Sequence, residues 1–432
     1  MSATTYRFEL ETLSPVMVTA GRHARLSPYT DFVQEGRELV YLDPRKVEAA
    51  LVQRPPAVMD DFVRGVRTGM DNNRSTFDLA EFIRTRLGTT AGALALRRVP
   101  VQGNVRRNHV RRHLTNGGQP YVPGSTLKGA IRTALMYGWL IADAEGLRYV
   151  DELKDRVDAL WERYHGDLAA AEQLYREAQD AYEARDFRVG GEKETGARQL
   201  AGRLRHPVEE RLVLPTESPL FISSERARSS EMRLLRVSDT DPLPRSVLRV
   251  AEVTRFKLSD GSTVSPQWSE TIFGGVRTSF TLTIERKFAH PHLQYLNQDS
   301  IQPLLDTIDR FAADCIEWEV GVLDRLRAVT ALNLVIGASE QIEESDPSDD
   351  AALMRIGGGK TYFDNSIGLA LHQRSPEAFD RFRRLLGMGR NPRTHLFSQK
   401  RFPATRSYIA ERSGGSTIAT EPLGWVRITV AK

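Results

Sequence analysis

The sequence predicts an α+β fold made of two βαββαβ units, with a helical insertion and long loops. Short stretches that alternate apolar and polar residues predict strands near both ends of the chain. Stretches with helical periodicity separate these strands, in the same order in each half. The length of 432 residues allows two domains, each with its own core.

The first predicted domain covers residues 1–214. It begins with a strand over residues 6–10 and an extended segment over residues 16–19. Asp43 and Pro44 predict a helix start, with Asp as the N-cap and Pro as the first helical residue. Helical periodicity returns over residues 77–87 and 121–135. The charged stretch 143–188 predicts an inserted helical hairpin, broken near His165 and Gly166.

The second predicted domain covers residues 215–432. Strand patterns lie at residues 246–257 and 279–286, and a long helix is predicted over residues 301–329. A shorter helix at 376–386 and a closing strand at 424–430 follow. Each half therefore has strands, helix, strands, helix and strand, which is the order of a ferredoxin-like βαββαβ unit.

Composition excludes several classes of protein. Hydrophobic residues make up 40% of the chain and charged residues 27%, as in globular proteins. No apolar stretch is long enough to span a membrane, and residues 1–20 lack a signal-peptide pattern. Cys315, the single cysteine, cannot form an internal disulfide or a cysteine-cluster metal site. We therefore expect a cytoplasmic protein without membrane partners, metal ions or other cofactors.

Charge is distributed unevenly along the chain. Between Ile83 and Ala142 there is no Asp or Glu, but there are ten Lys and Arg residues. The formal net charge of the whole chain is only +4, so the remainder is net acidic. This one-sided distribution is typical of proteins that bind nucleic acid. The basic loop 97–120 is poor in large apolar residues, and we expect it to be mobile until RNA binds.

The most informative motif is YVPGSTLKGAIRTAL, residues 121–135. Pro123 and Gly124 predict a turn that places Ser125 at a helix start, where its hydroxyl caps free backbone N–H groups. Lys128 and Arg132 lie four residues apart and therefore on one face. A helix start with glycines and two cations favours an anion such as a phosphate. The alternative is an ordinary amphipathic helix with two solvated cations.

A second glycine-rich segment, residues 355–361, has the sequence RIGGGKT. Its Gly-Lys-Thr is shared with P-loops, but the P-loop pattern requires a glycine where Met354 stands. Consecutive glycines let a backbone pass close to a ligand, and Arg355 and Lys360 flank them. We interpret this glycine-rich loop as packing against a nucleic-acid backbone; a flexible connection is the alternative.

The histidines do not predict a metal site. His109 and His113 have i,i+4 spacing, but two arginines lie between them and no carboxylate accompanies them. His23, in a basic loop after the first strand, is a candidate general base for RNA cleavage. A solvent or backbone contact is the alternative for His23, so the residues favour binding over catalysis.

These segments resemble the RAMP superfamily of CRISPR-associated proteins, and within it the fifth subunit of the type III-A Csm complex. LSPVMVTAG (13–21) resembles the first glycine-containing turn of the family, and YVPGSTLKGAIRTAL resembles its signature helix PGSSLKGALRTAL. RIGGGKTYFDNSIGL (355–369) resembles its C-terminal glycine-rich loop, and PLGWVRITV (422–430) its closing strand. LLRVSDTDPLP (234–244) is similar to a mid-chain segment. The basic loop and the helical insertion depart from the family pattern.

The resemblance implies paired ferredoxin-like (RRM-like) domains and a place in a ribonucleoprotein of antiviral defence. There the chain would cap the 3′ portion of the CRISPR RNA, support its maturation and complex assembly, and have no active site. The implied partners are CRISPR RNA, target RNA, other Csm subunits including the backbone RAMP subunit, and recruited maturation nucleases. Two alternatives stay open: a metal-independent endoribonuclease that processes CRISPR RNA, and a RAMP subunit of a type III-B complex.

Residues and resemblance together predict where RNA is held. Backbone amides and cations would bind phosphates, so binding should be indifferent to sequence and weakened by salt. The candidate RNA-binding residues are Arg22, His23, Arg106, Arg107, Arg111, Arg112, Gly124, Ser125, Lys128, Arg132, Arg355, Gly357, Gly358, Gly359 and Lys360.

Overall fold

The protein has an α+β fold, as predicted, with two large sheets and a long helical hairpin. The computed structural model describes residues 3–19, 21, 24–71, 77–105, 107–212, 231–258, 260–285, 293–326, 333, 337, 350–389, 402–413 and 415–431. Side chains are described for all of these except 203–212, 363 and 413.

The described elements are numbered separately for strands and helices. The strands are β1 (Ala3–Thr12), β2 (Arg25–Leu26), β3 (Phe32–Glu35), β4 (Glu38–Leu42), β5 (Ala95–Gln102), β6 (Val110–Arg111), β7 (Thr115–Asn116), β8 (Gln119–Pro120), β9 (Leu235–Val237), β10 (Leu248–Lys257), β11 (Thr263–Ile272), β12 (Arg277–Glu285), β13 (Ala351–Arg355), β14 (Thr405–Ser413), β15 (Ser416–Glu421) and β16 (Trp425–Val430). The helices are α1 (Pro44–Val52), α2 (Pro56–Asp71), α3 (Leu79–Thr85), α4 (Gly124–Ala142), α5 (Ala144–Glu183), α6 (Phe187–Leu212), α7 (Gln302–Leu326), α8 (Ser366–Arg374) and α9 (Pro376–Leu385).

The first sheet has the strand order β13-β16-β1-β12-β9, and every neighbouring pair is antiparallel. Alternation along β1 sends Phe8 and Leu10 into the core, where Phe8 stacks on Phe280 of β12. Leu127 of α4 and Ile308 of α7 belong to the same core. Taken along the chain, β1, α4, β9, β12, α7 and β16 follow the order βαββαβ of a ferredoxin-like unit.

The second sheet has the order β2-β6-β11-β10-β5-β4-β3, with β14 paired to both β10 and β15. β10 is buried over most of its length and is an interior strand that pairs with β11, β14 and β5. Helices α1 to α3 cover β3 and β4 through a small separate core that includes Val40 and Phe82. Asp43 caps α1 and Pro44 is its first residue, which confirms the predicted helix start.

Both sheets combine strands from the two halves of the chain. β1 lies between β12 and β16, and β5 pairs in parallel with β10. The predicted domain boundary between residues 214 and 215 lies outside the described residues. Because the sheets are shared, the described residues do not confirm one ferredoxin-like domain in each half.

The predicted basic loop, residues 97–120, belongs largely to the second sheet and its surroundings. It contains most of β5, all of β6 and the small β7–β8 ribbon, so the prediction of an irregular loop is wrong for the described part. Val99 and Val101 of β5 are buried and alternate with exposed residues. The alternation of buried and exposed residues was not recognised in the sequence, because arginines precede the two buried valines.

The helical insertion is longer than residues 143–188. α5 runs unbroken through His165 and Gly166, so the predicted break at this point is wrong. A glycine inside a helix costs only about 1 kcal/mol, which the packing of a long helix outweighs. The turn falls at residues 184–186, where Arg185 has a left-handed φ of 63°, and α6 returns to Leu212.

Three arginines from α8 and α9 hold α5 against the rest of the protein. The guanidinium of Arg374 donates two hydrogen bonds, of 2.7 and 2.9 Å, to the carboxylate of Asp151. The remaining contacts are Arg381 with Asp158, at 2.6 Å, and Arg384 with Glu172, at 3.3 Å. The basal part of the hairpin is therefore fixed to the body by side-chain pairs that are far apart in sequence.

Candidate nucleic-acid interface

The first residues of α4 pack closely on the segment that follows β9. A Cβ on Gly124 would lie 2.3 Å from the carbonyl oxygen of Val237, so only glycine fits there. The Gly124 N–H donates to Asp239 Oδ1 at 2.7 Å. Pro123 is the N-cap, and Ser125 is an exposed residue inside the first turn, so the prediction that Ser125 caps the helix is wrong. The Asp239 carboxylate therefore accepts a hydrogen bond from one of the backbone N–H groups at the start of the helix.

Lys128 and Arg132 are half-buried on α4. Partial burial lowers the pKa of Lys128, and the nearby guanidinium of Arg236 lowers it further. Arg236 in turn pairs with Glu285 at the edge of the first sheet. A negatively charged ligand beside Lys128 would oppose both effects on its pKa.

The glycine-rich loop packs against the protein's own backbone. The Gly358 N–H donates to the carbonyl oxygen of Met17 at 2.7 Å. Gly357 has a left-handed φ of 69°, and a Cβ there would lie 2.5 Å from the same oxygen. A Cβ on Gly359 would lie 2.8 Å from the side chain of Leu423. The glycines are therefore required for internal packing, whether or not a ligand binds.

Arg355, predicted as a cation that flanks the glycines and contacts RNA, is part of a buried ion network. Its side chain is only 4% exposed, and its Nε donates to the carbonyl oxygen of Leu423 at 2.8 Å. Its Nη1 lies 3.5 Å from Glu319 Oε2 and 3.4 Å from Asp364 Oδ1. The fully buried Arg406 donates to the same two carboxylates and to Thr361. These groups form the buried ion network: Arg355, Arg406, Glu319 and Asp364.

Burial shifts the pKa values of the two carboxyl groups in this network. It raises the pKa of Glu319 to about 7, against the opposing effect of Arg355. It also raises the pKa of Asp364. Lys360 lies at an exposed position beside the network, yet desolvation lowers the pKa of its ammonium group while Asp364 raises it. The network anchors the glycine-rich loop to α7 and β14 and leaves Lys360 as the cation of the loop nearest to solvent.

His113 connects the two motif regions. The Val18 N–H donates to its Nδ1 at 3.5 Å, and its Nε2 lies 3.2 Å from the carbonyl oxygen of Tyr121. This geometry fits the neutral tautomer with the proton on Nε2. Burial lowers the pKa of His113 to about 4. His113 is therefore a core residue that ties segment 13–19 to the entry of α4.

All five segments that carry the family resemblance meet through these contacts. Segment 13–21 contacts the glycine-rich loop through Met17 and the closing strand through Ser14, whose Oγ accepts from the Trp425 N–H at 2.9 Å. Segment 234–244 holds the α4 entry, because Thr240 exchanges hydrogen bonds with Val122. Through these contacts and those of His113, the five segments form one connected structure.

Several arginines of the acid-free stretch are neutralised by acids from elsewhere in the chain. Arg86 pairs with Asp61, and Arg97 pairs with the fully buried Glu270 while its guanidinium lies over the ring of Tyr41. Arg98 lies 2.9 Å from Glu35 and 3.0 Å from Glu38. The electropositive surface is therefore smaller than the charge count along the sequence suggests.

Another group of cations lies on or next to β2 and β6. Arg25 and Arg111 are direct cross-strand partners, so two like charges stand opposite each other. Arg25 also lowers the pKa of His109, after the larger effect of burial. No carboxylate of the described residues forms an ion pair with these arginines. We call this group the basic ribbon; it comprises Arg25, Arg107, His109, Arg111 and Arg112, which lie on β2, on β6 or within three residues of β6.

The family of the chain is identified by a match that covers most of its sequence. A family model described as the RAMP superfamily matches residues 9–362. The chain belongs to the RAMP superfamily. No curated protein matches this RAMP protein.

Two solved structures share the fold of this RAMP protein. One is a chain of the cryo-EM structure of a Csm–crRNA–target RNA ternary complex of a type III-A CRISPR-Cas system, with a TM-score of 0.63 and 18% identity over 99% of this chain and 100% of that chain. The other is the crystal structure of Csm5 from T. onnurineus, with a TM-score of 0.55 and 17% identity over 97% of this chain and 99% of that chain. At these identities the likeness establishes the fold.

The structure distributes the predicted RNA-binding residues over three places in this RAMP protein. Arg107, Arg111 and Arg112 belong to the basic ribbon, and Gly124, Ser125, Lys128 and Arg132 lie on α4. The glycine-rich loop holds the third group, which is Arg355, Gly357, Gly358, Gly359 and Lys360. Arg22, His23 and Arg106 lie outside the described residues. Sequence reasoning missed Arg25, because its pairing with Arg111 joins segments far apart in the chain.

The described residues contain no group of three or more His, Cys, Asp or Glu side chains placed to hold a metal ion. No described helix is long and apolar enough to cross a membrane.

Proposed function

We propose that this RAMP protein is a non-catalytic RNA-binding subunit of a type III-A Csm ribonucleoprotein. In this proposal it caps the 3′ portion of the CRISPR RNA and supports its maturation and the assembly of the complex in antiviral defence. Membership of the RAMP superfamily and the shared fold with Csm5 and with a chain of a Csm–crRNA–target RNA complex support it. The other Csm subunits and target RNA are proposed partners on the same grounds, and maturation nucleases are proposed from the resemblance of the sequence motifs alone.

The observation that carries the proposal is the basic ribbon. Like charges placed directly opposite each other on paired strands destabilise a sheet, yet Arg25 and Arg111 occupy such positions. Arg107 and Arg112 are exposed nearby, again without an ion-pair partner among the described residues. Repulsion of this kind is relieved by a polyanion, and the phosphate backbone of RNA supplies regularly spaced negative charges.

The proposed contacts fall into two classes. The basic ribbon, Lys128, Arg132 and Lys360 would neutralise phosphates, while Ser125 and the backbone of residues 357–359 would contribute hydrogen bonds. Phosphate contacts position a protein on RNA but carry no sequence information. We therefore expect binding that is nearly indifferent to sequence and strongly weakened by salt.

Fluorescence anisotropy with single-stranded RNA over a range of salt concentrations tests this function. Arg111→Ala with Arg112→Ala should weaken binding and make the salt dependence shallower, by about 0.7 in log–log slope for each lost phosphate contact. Lys128→Ala with Arg132→Ala should act in the same direction. The matched control is Arg148→Ala with Arg188→Ala, two exposed arginines of the helical hairpin that should change nothing.

Different outcomes of these measurements contradict the proposed function and the proposed contact residues. A wild-type protein that binds no RNA contradicts the function. Normal binding by both double variants contradicts the assignment of contacts. The absence of catalysis is tested by incubating the protein with a labelled precursor of the guide, with and without EDTA. Cleavage that His23→Ala abolishes would replace the proposal with the endoribonuclease.

A further inference from the structure

A large cavity lies beside the basic ribbon. It has a volume of about 870 Å³ and lies between β3, the start of α3 and a wall formed by Asn104, Arg107 and Asn108. Its walls include Phe32, Gln34, Phe77, Ala80, Arg107 and Asn108. This volume falls within the range of about 300–1,000 Å³ that is typical of small-molecule sites.

The wall formed by Gln34 is held rigidly. Its Nε2 donates to the carbonyl oxygens of Gly36 and Gly103, at 3.0 and 2.9 Å. Its Oε1 accepts from the Val105 N–H at 2.9 Å. The side-chain amide thus ties β3 to the segment 103–105 on the far side, so the cavity is preformed. A preformed site loses less entropy when a ligand binds.

The chemistry of the walls suits a nucleobase. Phe77 is half-buried and Phe32 is buried, so aromatic surface is present at the cavity. Asn108 is exposed, and its Nδ2 donates to the carbonyl oxygen of Val105 at 2.8 Å, which leaves its Oδ1 as an acceptor. Bases of single-stranded RNA are bound by stacking on aromatic rings and by hydrogen bonds to their edges.

The charges at the rim suit a phosphate. Arg107 lines the cavity, and the chain continues from Asn108 directly into β6, where Arg111 faces Arg25. On the other side, the chain leads from β2 through Pro28 and Tyr29, which also line the cavity, into β3. The basic ribbon and the cavity are thus built from the same two parts of the chain, residues 25–34 and the described residues between 104 and 111.

Asp78 is the acidic residue of the cavity wall, and it already has a structural role. Its Oδ1 accepts from the Glu81 N–H at 3.0 Å and caps α3. The positive macrodipole end of α3 offsets part of its charge. The rim therefore stays favourable to an anion on the side of Arg107.

From this juxtaposition we propose that the cavity receives one unstacked nucleotide of the bound RNA. Its base would enter the cavity against Phe77 and near Asn108, while its phosphates contact Arg107 and the basic ribbon. The inference rests on the proposed RNA-binding function and adds to it a site for a base. It means that binding to RNA has a component that depends on bases as well as the component from phosphates.

The test compares two RNA probes that share a backbone. One is a uridine 12-mer, and the other is a 12-mer of the same ribose-phosphate backbone without bases. Stacking of one base on an aromatic side chain favours the uridine probe by about tenfold or more. We expect the wild-type protein to show this preference in anisotropy measurements.

Ala80→Trp fills the cavity from an exposed position near the start of α3. It should reduce the preference for uridine toward unity and leave the affinity for the base-free probe unchanged. The matched control is Ala57→Trp, on an exposed position of α2 away from the cavity, which should keep the wild-type preference. An unchanged preference in a folded Ala80→Trp protein overturns the proposal.

A second measurement needs no variant and so does not depend on its folding. A 12-mer with 4-thiouridine is photo-crosslinked to the wild-type protein, and the attached peptides are identified by mass spectrometry. Crosslinks to residues 28–34, to residues 77–80 or to Asn108 support the cavity, and crosslinks confined to segments that do not line it overturn the proposal. A wild-type protein that binds neither probe contradicts the proposed function itself, and the cavity proposal with it.

Discussion

The basic ribbon and the buried ion network are both rich in arginine but use it in opposite ways. In the network, Arg355 and Arg406 are almost fully buried and share two carboxylates, Glu319 and Asp364. In the ribbon, Arg25 and Arg111 are cross-strand partners and pair with no carboxylate of the described residues. The difference teaches that a cation is available to a ligand only where the fold has not already supplied a carboxylate.

The largest expected effect comes from breaking the buried network. Arg406→Met leaves Glu319 and Asp364 buried with fewer compensating charges, and losses of about 3–5 kcal/mol are typical of such changes. Urea denaturation at neutral pH measures the free energy of unfolding. Arg148→Met, at an exposed pair on α5, is the control and should leave stability unchanged. A loss below about 1 kcal/mol for Arg406→Met would contradict the role of the network.

The next effect is a loss of stability in mild acid caused by His113. Its pKa is about 4 in the folded protein and 6.5 in an exposed histidine, so the unfolded chain takes up the proton first. Burial of the neutral imidazole therefore contributes fully to the free energy of unfolding above pH 6.5, and this contribution is lost as the pH falls toward 4. The total loss is about 3 kcal/mol.

Urea denaturation of wild type and His113→Gln between neutral pH and acid isolates this effect. The opposite contribution of Glu319, whose pKa is raised, is present in both proteins and cancels in the comparison. Equal pH dependence of the two proteins would show that His113 is not buried in its neutral form.

A smaller effect is expected from the glycine-rich loop that the network anchors. Gly357→Ala places a Cβ in left-handed backbone and close to Met17, which should reduce stability by about 2–3 kcal/mol. Gly261→Ala is the matched control, because Gly261 also has a positive φ but nothing lies within 4 Å of its Cβ position. Thermal denaturation compares the two. Equal losses would mean that backbone conformation, and not packing on Met17, requires the glycine.

The smallest effect has the opposite sign and concerns the ribbon. Arg25→Ala removes one of two facing charges and should raise stability by up to about 0.5 kcal/mol while weakening RNA binding. Arg98→Ala removes a cation paired with Glu35 and Glu38 and should not stabilise the protein. Thermal denaturation and RNA anisotropy measure both variants. A destabilised Arg25→Ala protein would show that the ribbon is part of the fold's own stabilisation.

Much of the fold could be predicted from local patterns. Alternation in residues 6–10 predicts β1, the Asp43-Pro44 pair predicts the start of α1, and periodicity over residues 301–329 predicts most of α7. Such patterns depend on residues a few positions apart, so they are complete in the sequence. The break predicted at His165 and Gly166 was wrong, because the packing of α5 outweighs a local preference.

The candidate site could be predicted only in part. The motifs pointed to α4 and to the glycine-rich loop, but Arg355 turned out to be buried and Arg25 was missed. Both outcomes depend on contacts between residues far apart in the chain, such as Arg355 with Glu319 and Arg25 with Arg111. An acid-free stretch of sequence therefore overstates the basic surface, since Glu270 and Asp61 reach it from elsewhere.

The sequence by itself determined the class of fold, the superfamily motifs and the excess of positive charge between residues 83 and 142. The tertiary structure decided which cations remain unpaired, that the glycines serve internal packing, and that a cavity lies beside the basic ribbon. The physical reason is the range of the interactions. Helix and strand periodicity, capping and turns act between neighbours in the chain, whereas ion pairing and cavity formation require segments that meet only after folding.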